Sequence, residues 1–178
     1  MRLLDGDPAS GTSFLSVMTM RIALGADHLG VALKDEIAAM LRERHVKIKD
    51  FGVAAGDVAD YPDVAEKVAE AIRDGQFDRG ILICGTGIGM AISANKVPCI
   101  RAAVVHDPYS AERSRKSNNA QILTMGALVI GPQLAKQLVS IWLKSEFQGG
   151  DSARKVEKIG LIEARHASEL SQGDRGKQ

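Results

Sequence analysis

Residues 80–96 read GILICGTGIGMAISANK: an apolar run closing on Cys84, three glycines separated only by Thr86 and Ile88, then a helix-forming segment. A short apolar run stopped by glycine suits a strand buried on both faces. Glycine also lets the main chain approach a ligand closely, and successive N–H groups in such a turn point at one negative charge. The segment therefore predicts a strand, an anion cradle and a helix, with a thiol at the junction.

The same change of period recurs on either side. RIALGAD (21–27) precedes VALKDEIAAMLRER (31–44), which puts Leu33, Ile37 and Leu41 on one face. VKIKDFG (46–52) precedes PDVAEKVAEAIRDG (62–75), where Val64, Val68 and Ile72 keep helical spacing and Gly75 stops it. RAAVVH (101–106) precedes PYSAERSRKS (108–117), and AQILTMG (120–126) precedes PQLAKQLVSIWLKS (132–145). Strands and helices alternating at this length imply parallel pairing through right-handed crossovers, hence an α/β class with a sheet of about five strands covered on both faces. A further helix over about 152–167, carrying Val156, Ile159 and Ile162 on one side, lies outside this repeat and suits contact with a partner subunit. The domain is placed at 20–167. Residues 1–19 read as a loose extension, with alternative starts at Met18 and Met20, and 168–178 as a polar, flexible tail.

Composition narrows the function classes. A chain of 178 residues with 45% hydrophobic content supports one well-buried core. Its net charge of +1 is interspersed, without the basic stripe of a nucleic-acid binder. No apolar run approaches the ~18 residues of a membrane span and no secretory core is visible. With only Cys84 and Cys99, the chain reads as a soluble protein of a reducing, cytoplasmic compartment. Cys99, after Pro98, reads as a small apolar side chain entering a strand.

In open parallel sheets the ligand lies beyond the carboxyl ends of the strands. There the first strand delivers Asp27 and His28, the third Cys84 and Thr86, and the fourth His106 and Asp107, beside Gly85, Gly87 and Gly89. Singly, Asp27 and Thr86 are equally readable as caps, and His106 and Asp107 as turn residues before Pro108. Their convergence on one edge favours function. His45, near the end of the first helix, and His166, near the polar tail, do not share that edge.

Three rival motifs fail on the glycine loop. A dinucleotide fingerprint from Gly85 needs glycine where Met90 stands. A cysteine phosphatase needs an arginine where Gly89 and Met90 stand. A dithiol redox centre needs a second cysteine among Thr86 and Gly87. What remains is a thiol at a helix N-terminus beside free N–H groups. The helix dipole favours thiolate, which makes Cys84 a general base, and the loop N–H groups would stabilise a developing oxyanion. Base plus oxyanion cradle describes proton abstraction next to a carbonyl.

The motifs GADHLG, DYPD (60–63), GILICGTGIGMAISANKVPCIRAA (80–103), HDPYSAERS and SNNAQILTMG closely resemble the ribose-5-phosphate isomerase B family, which includes galactose-6-phosphate isomerases. The resemblance covers about residues 20–165 and rests most firmly on CGTGIGMAISANK. It implies a three-layer α/β/α Rossmann-like fold, a homodimer with shared active sites and metal-free, cofactor-free aldose–ketose interconversion of a sugar phosphate through an enediolate, ribose 5-phosphate to ribulose 5-phosphate as first reading. Transferred position by position, it makes Cys84 the base and Thr86 a proton carrier on the sugar oxygens. Gly85, Gly87 and Gly89 hold the enediolate. Asp27, His28, Tyr61 and Asn95 touch substrate, and Asn118 comes from the partner subunit.

The sequence departs from the family in two places. Ser117 stands where a ring-opening histidine is common, which makes His106 the candidate replacement. Leu128, Asp151 and Lys155 stand at three phosphate arginines, leaving Arg154 and Lys155 as candidate phosphate contacts. Serine before the asparagine pair also resembles members that act on four-carbon sugar phosphates. A tetrose phosphate or another sugar is the alternative substrate, and a non-catalytic sugar-phosphate-binding protein the alternative class.

Overall fold

The computed structural model describes the backbone of residues 20–173 and the side chains of 20–167. Strand β3 (Arg79–Cys84) is buried along its whole length, as a parallel strand covered on both faces must be. Around it lie β1 (Arg21–Ala26), β2 (Lys47–Asp50), β4 (Ala102–Val104) and β5 (Ile122–Gly126), all parallel, in the order β2-β1-β3-β5-β4. The connecting helices are α1 (Val31–Glu43), α2 (Tyr61–Arg73), α3 (Ile88–Ala94), α4 (Pro108–Lys116) and α5 (Pro132–Lys144), and α6 (Asp151–Gly173) follows them.

The two periods of the sequence build the two cores. Leu33, Ile37 and Leu41 of α1 join Leu138 and Trp142 of α5 against Ile22, Leu24, Ile81, Ile83, Leu123 and Met125 on one face of the sheet. Val64, Val68 and Ile72 of α2 join Met90 of α3 against Ala23, Leu82, Cys84 and Ile122 on the other. Adjacent residues of a strand face opposite layers, so apolar residues in both directions call for a helical layer on each face of the parallel sheet, the three-layer, Rossmann-like arrangement observed.

Tertiary contacts move some boundaries. Strand β4 keeps three residues of the expected six, and Asn95 pairs with its first residue: its Nδ2 donates to the Ala102 carbonyl and its Oδ1 accepts the Ala102 N–H, at 2.9 and 2.7 Å. Cys99 does not enter a strand. It is exposed in a left-handed turn at φ +67°, with its N–H donated to both oxygens of Glu163 at 2.9 and 3.0 Å. That clamp holds α6, which begins one residue earlier than expected and stays helical to Gly173. None of its side chains up to Ala167 is buried, and Ile159, Leu161 and Ile162 stand exposed. The expectations for 1–19 and for the last five residues lie outside the described residues.

Arg79 opens β3 as a buried cation. Its guanidinium donates to the carbonyls of Trp142, Leu143 and Ser145 at 2.8, 3.2 and 3.0 Å, and to Glu146 at 2.7 Å. It thereby satisfies the carbonyls that the end of α5 leaves without helical partners. Burial, followed by the neighbouring Arg115, pushes its pKa down to about 10, so it stays charged at neutral pH. Arg79→Met should remove those donors and lower stability by about 2–3 kcal/mol in urea titration. An unchanged midpoint would show that α5 ends equally well without them.

Candidate active site

The order β2-β1-β3 makes β1 and β3 neighbours from which successive connections diverge, the point where open α/β sheets place ligands. Ala26 pairs with Ile83, and the Asp27 N–H donates to the Ile83 carbonyl at 3.3 Å, so Asp27 and Cys84 leave the sheet side by side. Asp27 is buried, and its Oδ1 accepts the N–H groups of Leu29 and Gly30 at 3.0 and 3.1 Å. It thus braces the turn that leads to Gly30, the N-cap of α1, while standing at the site. His28 is exposed beside it.

Cys84 is 4% exposed. Its Sγ accepts the N–H of Gly87 at 3.1 Å, which fixes the thiol against the loop. Gly87 holds φ +79°, and a Cβ there would lie 2.8 Å from the Met125 backbone, so the turn admits only glycine. Thr86 is exposed, with Oγ1 accepting the Ile88 N–H at 3.3 Å, a local cap of the short α3. Tyr61 starts α2 at the extended Asp60 and lays its ring on Gly89, where a Cβ would come within 2.5 Å of Cε2. Gly85 is flanked by Leu29 and Leu128, 49% and 75% exposed.

His106 reaches this edge from the end of β4, but its Nε2 accepts the Gly126 N–H at 2.9 Å. That bond places the proton on Nδ1 and leaves no unshared basic nitrogen, so in this conformation the ring braces the end of β5 instead of standing ready to open a sugar. Asp107 caps α4 through Oδ1 and the Ser110 N–H at 2.8 Å. Hydrogen bonds from Ser110 hold its carboxyl below the usual range.

The remaining candidates lie elsewhere. Both ends of the Asn95 amide are engaged by Ala102, which gives Asn95 a structural role at the start of β4. Asn118 precedes β5, whereas Cys84 pairs with Gly126 at its far end, about 13 Å along the strand at ~3.3 Å per residue. Arg154 and Lys155 are exposed on α6. Ser117 donates its hydroxyl to the Arg113 carbonyl at 2.7 Å and so ends α4.

Two contributors escaped the sequence reading. Gly126 lies so close to the loop that a Cβ would sit 2.7 Å from the Thr86 Cα. Thr124 is fully buried, with Oγ1 donating to the Gly87 carbonyl at 2.9 Å. The available signal was a hydroxyl inside an otherwise apolar strand, which must find a partner.

A buried thiol held by the Gly87 N–H, a left-handed glycine turn and the Tyr61 ring meet at one sheet edge, an arrangement compatible with proton transfer next to a carbonyl. The family model described as Ribose/Galactose Isomerase matches residues 22–159. The chain is 52% identical over 147 residues to ribose-5-P isomerase B of Listeria innocua, covering 83% of this chain and 99% of that one. It is 54% identical over 145 residues to D-erythrulose-4-phosphate isomerase of Pectobacterium atrosepticum, covering 81% and 95%. The solved ribose-5-phosphate isomerase B of Clostridium thermocellum superposes with a TM-score of 0.81 at 52% identity, covering 83% and 99%. The chain belongs to the ribose/galactose isomerase family, and is an aldose–ketose isomerase of sugar phosphates.

The Tyr61–Gly89 contact gives a direct test. Gly89→Ala should displace the Tyr61 ring and cost about 1–3 kcal/mol by overpacking. In a Tyr61→Ala background the same change should cost little. Equal losses in both backgrounds, read from thermal melts, would mean that the ring does not limit this position.

Proposed function

We propose that Cys84 carries the proton between C1 and C2 of a short sugar phosphate. The observation supporting this reading is the Gly87 N–H held on Sγ at 3.1 Å, with the rest of the glycine loop turned around the same point. Cys84 removes the proton from the carbon next to the carbonyl, and electron density moves onto oxygen as an enediolate. Loop N–H groups stabilise that oxygen, the Thr86 hydroxyl moves protons between O1 and O2, and Cys84 returns its proton to the neighbouring carbon. The loop and the thiol together favour catalysis over mere binding, because a binding protein needs the cradle but not the base.

Within this class, a four-carbon sugar phosphate is the substrate the geometry supports best. A ring-closed pentose phosphate needs a group to take the anomeric proton, and two candidates are committed, Ser117 to the Arg113 carbonyl and His106 Nε2 to Gly126, which leaves the competing imidazole of His28, exposed beside Asp27. An aldotetrose 4-phosphate has its terminal oxygen esterified and cannot close a five-membered ring through it. It needs no ring opening. Ribose 5-phosphate is the second reading, supported by the identity to the Listeria protein.

The active unit is a homodimer in this reading. Asn118 and Cys84 lie toward opposite ends of one sheet, so a site using both takes them from two chains, and the exposed Ile159, Leu161 and Ile162 of α6 supply apolar surface for such a contact. Among the described residues no helix is long and apolar enough to cross a membrane. A cytoplasmic location is the setting we infer for such a metabolic enzyme.

The experiment is a comparison of kcat/KM for erythrulose 4-phosphate and ribose 5-phosphate, in wild type and Cys84→Ala. The tetrose should lead by about tenfold or more. The variant should lose about 10³-fold on both, with solvent deuterium entering at C1 or C2 of the wild-type product. A lead for ribose 5-phosphate returns the substrate to five carbons, and retained turnover in Cys84→Ala removes the thiol as base. Light scattering should give the mass of two chains; a fully active monomer would end the shared-site reading.

A further inference from the structure

Successive residues of β5 face opposite layers: Leu123 and Met125 pack toward α1 and α5, and Ile122 toward α2 and α3. Thr124 shares the Ile122 side, is 0% exposed, and stands where an apolar residue would complete the pattern. Its hydroxyl donates to the Gly87 carbonyl at 2.9 Å, with the Ala103 carbonyl farther off at 3.4 Å. The same Gly87 carbonyl accepts the Ala91 N–H at 3.1 Å, the first helical bond of α3, and the Gly87 N–H donates to Cys84 Sγ at 3.1 Å. Both peptide groups of the one left-handed residue in the loop are therefore held, one by Thr124 and Ala91 and the other by the thiol.

We propose that Thr124 is a positioning residue for Cys84: by fixing the Gly87 carbonyl, its hydroxyl keeps the Gly87 N–H aimed at Sγ. It touches no substrate and acts through Gly87. The role in turnover rests on the reading of Cys84 as base, whereas the orientation of the thiol does not. When the hydroxyl is lost, Ala91 still bonds the carbonyl, so α3 still starts. What changes is the freedom of the Gly87 peptide groups to rock about φ and ψ, and with it the direction of the N–H.

Thr124→Val keeps the shape and removes the donor, and Thr124→Ser keeps the donor and removes a methyl group. In the valine variant kcat should fall about tenfold while KM stays within about twofold, and the serine variant should recover to within about threefold of wild type. A second readout needs no substrate: in a Cys99→Ser background, alkylation of Cys84 by iodoacetamide should slow about threefold or more in Thr124→Val and recover in Thr124→Ser. Wild-type kcat and alkylation rate in Thr124→Val would overturn the proposal. So would a loss that serine fails to restore and that tracks a lowered melting temperature, since that pattern belongs to packing. Slowed alkylation in Thr124→Val, combined with full turnover in Cys84→Ala, would uphold the positioning role and reject the thiol as base.

Discussion

Gly87 holds φ +79° with its Cα pressed on the Met125 backbone, so the chain leaving β3 turns into α3 along one path. That path decides where the Cys84 sulfur points, because the Gly87 N–H is its donor, and where α3 begins, because the Gly87 carbonyl takes the first helical bond. Position 126 is constrained from the other side, where a side chain would strike the Thr86 backbone. His106 and Thr124 then tie the ends of β4 and β5 to the same turn through Gly126 and Gly87. The proposed role of this thiol gains from the rigidity: orientation set before substrate arrives is free energy already spent in folding.

The sheet order supplies the second half of the arrangement. With β1 beside β3, the Asp27 turn and the Cys84 turn share one crevice, and Gly30 lets α1 start so close to β3 that a Cβ would lie 2.5 Å from the Ile83 carbonyl. Apolar residues on both faces of β1, β3 and β5 force two covering layers, which in turn leave only the strand ends open to a ligand. The site is therefore a consequence of burial as much as of the residues that line it.

Much of this was legible in the sequence because it is local. The strand–glycine–helix run at 80–96 and the helical faces of Leu33, Ile37 and Leu41 or Val64, Val68 and Ile72 need only the two periods of side-chain direction, and all six of those helix residues are buried. The convergence of Asp27, Cys84, Thr86 and His106 on one edge follows from parallel topology. What was not legible depends on partners distant in sequence. Asn95 paired with the first residue of β4, His106 bonded across to Gly126, and Cys99 held in a left-handed turn by Glu163 each need a contact that no periodicity encodes. The order of the outer strands, with β5 inside β4, is likewise a tertiary choice.

The division between buried and exposed residues also separates chemistry from recognition. Cys84, Thr124 and the glycines that turn the loop are locked by backbone contacts, and these are the positions on which the proposed proton-transfer step rests. Leu29, Leu128, Ser117 and the residues of α6 lie at helix ends or on the surface, where substitution costs the fold little. In the proposed reading, phosphate contacts and ring opening, which distinguish one sugar phosphate from another, fall among these positions. A family built this way can keep one enediolate step and change its sugar with few mutations, so overall identity carries little information about substrate. The side chains at positions 117, 128 and 151 carry more, because a histidine or arginine there changes which charges and rings the site accepts, and here they are serine, leucine and aspartate.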